Sequence, residues 1–130
     1  MNKNFLAKII AKDIHGLKLI SACCFEAKVK IKEIKYLKKN QIFLIFLQRT
    51  NVESKENKDK INSVCKFEFV ESVKSKNIDQ TNKDLTLQLI AIDLIKNQDR
   101  FEINIIFNNN SFLTLSTEII EVTLEDQNKI

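Results

Sequence analysis

The stretch Asp13–Ala27, DIHGLKLISACCFEA, is the one long segment of the chain with a helical pattern, and the rest of the fold is expected to be arranged around it. At 100° per residue its apolar side chains gather on one face and its charged side chains on the other. Asp13 precedes the run and can cap the first helical turn. The residues predicted to form the buried face are Ile14, Leu17, Ile20, Ser21, Cys24, Phe25 and Ala27.

The remainder of the chain is typical of strands. A helix of this length spans about 22 Å, which matches strands of six or seven residues laid beneath it. The sequence therefore predicts an α+β fold in which one long N-terminal helix packs on a mostly antiparallel sheet of six or seven strands. Such a sheet can curl into a partly open barrel.

Individual strands follow from the hydrophobic pattern. Ile42–Leu47 is apolar at every position, which predicts a central strand covered on both faces. Cys65–Val73 alternates and is predicted to be a single strand. The alternation that starts at Val29 changes phase near Glu33, which predicts a bulge there. Residues 108–111, NNNS, predict a hairpin turn, because Asn tolerates left-handed backbone.

A single globular domain over residues 1–130 is expected from a chain with 44% hydrophobic and 29% charged residues. Residues 50–62, TNVESKENKDKIN, are predicted to be a polar loop within it. The apolar runs are too short for a signal peptide or a membrane span. Three cysteines do not make a disulfide framework, and the expected location is the cytoplasm.

A set of residues along nearly the whole chain resembles an uncharacterised alphaproteobacterial family, the domain of unknown function numbered 2948. The resemblance implies a stand-alone cytoplasmic bacterial protein with no assigned activity, and it supplies no catalytic residues. The residues that carry it are Leu6, Ala11, Asp13, Leu17, Ser21, Ala22, Ala27, Tyr36, Leu37, Lys39, Phe43, Arg49, Glu53, Phe67, Val70, Val73, Ile120, Glu121, Leu124, Glu125 and Asp126.

Reactive groups are scarce. His15 is the only histidine, and Cys23 lies eight residues further along the predicted helix, about 12 Å away by helical rise, too far for a nucleophile and its base. The sequence has no metal-ligand spacing and a single glycine, so no phosphate-cradling loop is predicted. We therefore predict no catalytic residues, metal or cofactor. Cys23, outside the buried face, is expected to react with thiol reagents before Cys24 and Cys65.

The basic charge of the chain is concentrated near its start. Residues 1–40 hold ten lysines and three carboxylates, a net charge of +7, whereas the chain as a whole carries +4. The segment Lys28–Lys39 could follow a phosphate backbone. Lysines that protect an edge strand are the favoured alternative, and only Tyr36 interleaves with these lysines as a stacking residue. The candidate basic residues are Lys28, Lys30, Lys32 and Lys35.

Arg49 is one of two arginines in a chain with 19 lysines, and it follows the most apolar strand. One interpretation is a structural ion pair with a nearby carboxylate such as Glu53. The other is recognition of an anionic group, with Asp13 and Glu121 as further binding candidates.

Three functions follow in order of preference. The first is a non-catalytic module that binds another protein or a second copy of the chain through a sheet face or edge. The alternative is a nucleic-acid-binding protein that uses Lys28–Lys39, and the third is a small-ligand protein or enzyme. No membrane partner is expected.

Overall fold

The computed structural model describes residues 8–50 and 60–129. Within these ranges the chain forms one α-helix, two short 3-10 turns at Ile31–Glu33 and Lys38–Asn40, and ten strands. The elements are β1 Lys8–Ala11, α1 Ile14–Cys23, β2 Lys28–Lys30, β3 Ile34–Leu37, β4 Ile42–Thr50, β5 Lys60–Phe67, β6 Val70–Lys76, β7 Thr86–Asn97, β8 Arg100–Phe107, β9 Ser111–Thr117 and β10 Val122–Lys129.

The helix starts where the sequence predicts. The Asp13 side chain accepts a hydrogen bond from the Gly16 amide at 2.9 Å, which satisfies one free donor of the first turn. Gly16 also allows a close approach to β1, because a Cβ atom at this position would lie 2.9 Å from the Cα of Ala11. The N-terminus of the helix is therefore locked against the preceding strand.

The predicted end of the helix at Ala27 is wrong, because α1 stops at Cys23. Glu26 has a left-handed backbone with φ of 66°, and its amide donates to the Leu89 carbonyl at 2.7 Å. Ala27 then accepts from the Leu89 amide at 2.8 Å. Pairing with β7 thus draws these residues out of the helix.

Ending the helix early also changes its buried face. Leu17 and Ile20 are buried as predicted, but Phe25 lies beyond the helix and is 53% exposed. Cys23, expected outside the face, is only 5% exposed. The Ser21 hydroxyl accepts a hydrogen bond from the Ile92 amide at 2.9 Å, which ties the helix to β7.

The ten strands form one antiparallel sheet in the order β1-β10-β5-β4-β2-β7-β8-β9-β6, and β3 pairs with β4 beside this path. The prediction of an antiparallel sheet with a helix is confirmed, whereas the count of six or seven strands is wrong. One extra strand arises because a 3-10 turn at Ile31–Glu33, in place of the predicted bulge, separates β2 from β3.

A second extra strand arises at Phe69, which divides the single strand predicted over Cys65–Val73 into β5 and β6. Phe69 has a φ of 60°, and this left-handed residue redirects the chain. The Glu68 amide bonds to the Glu121 carbonyl, and the Val70 amide bonds to the Gln41 carbonyl. Two adjacent strands in sequence therefore lie far apart in the strand order.

The two halves of the sheet face each other across a common core. Phe43 and Phe67 from one half belong to the same buried cluster as Ile105 and Leu115 from the other. The hydroxyl of Tyr36 on β3 donates to the Val70 carbonyl at 2.8 Å. The sheet does not close, since β1 and β6 remain its two ends.

Strand β4 alternates between buried and partly exposed side chains, so the prediction that Ile42–Leu47 is covered on both faces is wrong. Its even-numbered residues point away from the core. The hairpin turn predicted at residues 108–111 is confirmed, with positive φ at Asn109 and Asn110. Of the loop predicted at 50–62, Thr50 belongs to β4 and residues 60–62 to β5, while 51–59 lie outside the described residues.

Across the described ranges, no helix is long and apolar enough to cross a membrane.

Candidate binding site

A row of polar residues crosses four neighbouring strands on the outer face of the sheet. Lys28 on β2 lies opposite both Gln48 on β4 and Gln88 on β7. Gln48 in turn lies opposite Asn62 on β5. Directly paired residues project to the same face of a sheet, so these four side chains lie side by side.

This row forms the floor of a cleft of about 770 Å³. We call it the Lys28 cleft and define it by the residues that supply its side-chain chemistry, although backbone and other side chains complete its walls. These residues are Lys28, Lys30, Glu33, Phe46, Gln48, Asn62, Gln88, Asn108 and Gln127.

Hydrogen bonding at β7 explains why Asn108 joins the cleft. Its carboxamide oxygen accepts from the Gln88 backbone amide at 3.1 Å, and its own backbone amide donates to the Gln88 carbonyl at 2.9 Å. The side chain therefore takes the place of a ladder partner just before the hairpin turn. This arrangement brings a further carboxamide to the rim of the cleft.

Beneath the cleft, on the inner face of the same strands, Arg49 forms a buried ion pair with Asp126. Nε donates to Oδ1 at 3.0 Å and Nη2 to Oδ2 at 2.8 Å, a bidentate geometry. The Ser63 hydroxyl donates to Oδ1 of Asp126 at 2.6 Å. Both charged side chains are 0% exposed. We call these three residues the Arg49 network.

Strand alternation connects the network to the cleft. On β4 and β5 a residue that lines the cleft directly precedes each network residue: Gln48 precedes Arg49, and Asn62 precedes Ser63. Because successive side chains point to opposite faces, fixing the inner residue also fixes its outer neighbour. The Arg49 network is therefore a scaffold for the Lys28 cleft.

The structural interpretation of Arg49 has the right chemistry, but its partner is Asp126, 77 residues away in sequence. Glu53, the carboxylate proposed from the sequence, lies outside the described residues. A fully buried guanidinium held by a carboxylate is not a surface for recognising an anion, so Arg49 supports the candidate site from below.

The predicted lysines separate into two groups. Lys28 and Lys30 line the cleft, and Lys35 lies close by with its Nζ 6.0 Å from the centre of the Phe46 ring. Lys32 is exposed in the 3-10 turn and does not line the cleft. The expectation that Lys28 and Lys30 protect an edge strand is wrong, since β2 lies between β4 and β7.

Asp13 and Glu121 do not join Arg49. Asp13 caps the helix, next to the pairing of Ala11 with Val122, and Glu121 directly precedes Val122. The row that contains Val122 crosses β4 at Phe43, six residues from Arg49 and thus about 20 Å along the strand. Asp13 and Glu121 therefore lie near one end of these strands, and Arg49 lies near the other end.

Glu121 instead contacts a second carboxyl group. A hydrogen bond shared with Glu121 raises the pKa of Glu68, and burial adds to the increase. The ammonium group of Lys66, 3.9 Å from Glu68, opposes the shift.

The cysteines and the histidine are arranged as structural residues. All three thiols are buried. Burial is the main cause that raises the pKa of Cys65, and the electrostatic interaction with Cys24 adds to the increase. His15 is exposed on the helix. Among the described residues, no three His, Cys, Asp or Glu side chains are grouped so that they could hold a metal ion.

Sequence reasoning missed several residues of this region. Asp126 appears in the sequence only as a residue of the family resemblance, and nothing in the sequence marked Ser63, Phe46 or the carboxamides as site residues. The alternation of Phe46, Gln48 and Thr50 with buried neighbours was the available signal, but it becomes visible only once β4 is known to have a solvent face.

The protein is an α+β domain in which a helix packs on an open antiparallel sheet and a polar cleft lies over a buried ion pair. The chain belongs to the family described as "Protein of unknown function (DUF2948)", whose family model matches residues 7–130. The resemblance noted from the sequence is thereby confirmed over nearly the whole chain. Comparison with curated proteins found no match.

Proposed function

We propose that this chain is a non-catalytic binding module that captures an anionic macromolecule in the Lys28 cleft. The observation that carries the proposal is the row of Gln88, Lys28, Gln48 and Asn62 across four strands. Several hydrogen-bonding groups and a cation converge there in a concavity whose volume lies within the range of ligand sites, roughly 300–1,000 Å³.

The charge at the cleft supports an anionic partner. Lys28 and Lys30 contribute two positive charges and Glu33 one negative charge to the lining. Both lysines are exposed and neither forms an ion pair among the described residues, so they keep their charge available at the surface. Their position inside the strand order also removes the edge-protection role that would otherwise explain them.

A binding role agrees with the distribution of reactive groups. The buried thiols cannot meet a substrate, and the single imidazole is on the solvent side of the helix. The carboxamides and lysines of the cleft can donate and accept hydrogen bonds but are poor nucleophiles and bases at neutral pH. The partner can be a protein, as the sequence favoured, or a nucleic acid.

A charge-reversal experiment tests the proposal. Fluorescence anisotropy would measure binding of labelled poly-L-glutamate and of a labelled ten-residue oligodeoxythymidylate to the full chain. The double variant Lys28→Glu/Lys30→Glu should bind whichever probe the wild type binds at least tenfold more weakly. Lys74→Glu/Lys76→Glu is the matched control, since it reverses two exposed lysines at the same spacing on β6.

The control variant should bind like the wild type, because β6 lies at the far end of the strand order. Equal weakening by the two variants would mean that only the net charge of the chain matters, and it would overturn the proposal. Failure of the wild type to bind either probe at low salt would do the same.

A further inference from the structure

The Lys28 cleft contains an aromatic side chain that the linear sequence does not place among the lysines. Phe46 comes from β4, lines the cleft and is partly exposed. The Nζ of Lys35 lies 6.0 Å from its ring centre. A ring face beside ammonium groups combines the two elements that single-stranded nucleic-acid sites use, base stacking and phosphate contact.

The carboxamides supply a third element. Gln48, Asn62, Gln88 and Asn108 each carry a donor and an acceptor, and Asn108 uses only its oxygen in the bond to the Gln88 amide. Nucleobase edges present donors and acceptors together, so paired donor–acceptor groups suit them. An acidic peptide presents mainly acceptors, and lysines alone would serve it.

We infer that the ligand of the Lys28 cleft is a single-stranded nucleic acid. Its phosphates contact Lys28 and Lys30, one base stacks on Phe46, and the carboxamides bond to base edges. A duplex does not fit this chemistry, because its base faces are already stacked on one another. The inference rests on the proposed function and names the class of its ligand.

The other half of the sheet has a surface depression that can be compared with the Lys28 cleft. Phe112 on β9 lies opposite Lys76 on β6, and both line a surface depression together with Lys74. That surface thus also has one phenylalanine and two lysines. It has a single carboxamide, Asn104, in place of the row of carboxamides. Like the Lys28 cleft, which includes Glu33, it contains one carboxylate, Asp93.

The decisive experiment compares Phe46→Leu with Phe112→Leu. Binding of the labelled ten-residue oligodeoxythymidylate should weaken about 5- to 150-fold in Phe46→Leu, the range measured for loss of one stacked base. Phe112→Leu should bind like the wild type. Phe46→Tyr keeps an aromatic face and should retain binding, which separates stacking from any effect on folding.

Salt dependence gives an independent readout. Lys28→Gln/Lys30→Gln should reduce the slope of log affinity against log salt by roughly 1.4, because each phosphate contact on a single strand contributes about 0.7. A duplex of the same length should bind at least tenfold more weakly than the single strand. Unaltered melting temperatures of the variants verify that the fold is intact.

The outcomes separate the two proposals. Capture of poly-L-glutamate in the cleft without binding of the oligonucleotide would overturn the nucleic-acid inference and leave the binding module standing. Equal losses in Phe46→Leu and Phe112→Leu, or equal affinity for duplex and single strand, would also overturn it. Absence of binding to both probes would overturn both.

Discussion

The two faces of strands β4 and β5 use alternate residues of the same segments for opposite purposes. On the inner face, the Arg49 network buries an ion pair with three hydrogen bonds and no exposed charge. On the outer face, the Lys28 cleft presents carboxamides and lysines to solvent. A shift of one residue along the strand changes the environment of a side chain from core to surface.

The two faces should contribute differently to the free energy of unfolding. A buried ion pair contributes little net stability when intact, yet its disruption is costly because the remaining charge has no partner. Exposed lysines and carboxamides contribute little to stability in either state. We therefore expect inner-face substitutions to change folding and outer-face substitutions to change binding.

The largest contrast concerns thiol reactivity on β5. Cys65 is buried on the inner face, and burial raises its pKa, whereas Asn62→Cys would place a thiol on the outer face. Inner thiols become accessible only through opening of the core, which costs roughly 5–15 kcal/mol for complete unfolding. The three native cysteines should therefore react at least about 10³-fold more slowly than the engineered one.

Mass spectrometry after timed alkylation would measure these rates. In denaturant all four thiols should react alike, which is the control for intrinsic reactivity. This prediction replaces the expectation of a reactive Cys23, and rapid labelling of Cys23 in the folded protein would contradict the helix position described above.

The next largest effect is the loss of one member of the buried pair. Arg49→Met and Asp126→Leu should each reduce the free energy of unfolding by about 3–5 kcal/mol, because each leaves an unpaired buried charge. The double variant should lose less than either single variant. Urea denaturation would measure all three.

Arg49→Lys sharpens the same test. It keeps the positive charge but cannot reproduce the planar, bidentate contact with Asp126. Its free energy of unfolding should therefore lie between those of the wild type and Arg49→Met. Additive losses in the double variant Arg49→Met/Asp126→Leu would show that the two residues are not coupled in the folded state.

A smaller effect is expected at Ser63. Ser63→Ala removes the hydroxyl that donates to Asp126 and should cost about 1–3 kcal/mol, the usual penalty for an incompletely satisfied buried group. The adjacent outer-face variant Asn62→Ala should change stability by no more than about 0.5 kcal/mol. If the two variants lose equal stability, the division between the faces does not hold on β5.

The smallest effect concerns the carboxyl pair of Glu68 and Glu121, at the end of β5 away from Asn62 and Ser63. The folded pKa of Glu68 is raised, so its contribution to stability is full below the unfolded pKa and is lost as pH rises through the folded pKa. Glu121→Gln should lower the pKa of Glu68 and flatten this part of the pH profile. Carboxyl NMR titration would measure the pKa, and an unchanged value would contradict the shared hydrogen bond.

Much of the local structure could be predicted from the sequence. The helix start at Asp13, the turn at Asn109 and Asn110, and the antiparallel character of the sheet depend on propensities and patterns within a few residues. The errors arose where a long-range contact prevailed. Pairing of Glu26 and Ala27 with Leu89 shortened the helix, and the left-handed Phe69 divided a strand that looked continuous.

Composition and periodicity are properties of the linear chain, so the class of fold, the family and the location of the basic segment could be inferred without a structure. The tertiary structure was needed to bring Asp126 to Arg49 across 77 residues and to place Phe46 in one cleft with Lys28 and Lys30. Both pairings depend on strand order and register, which result from packing the whole core and leave no local signal at the residues concerned.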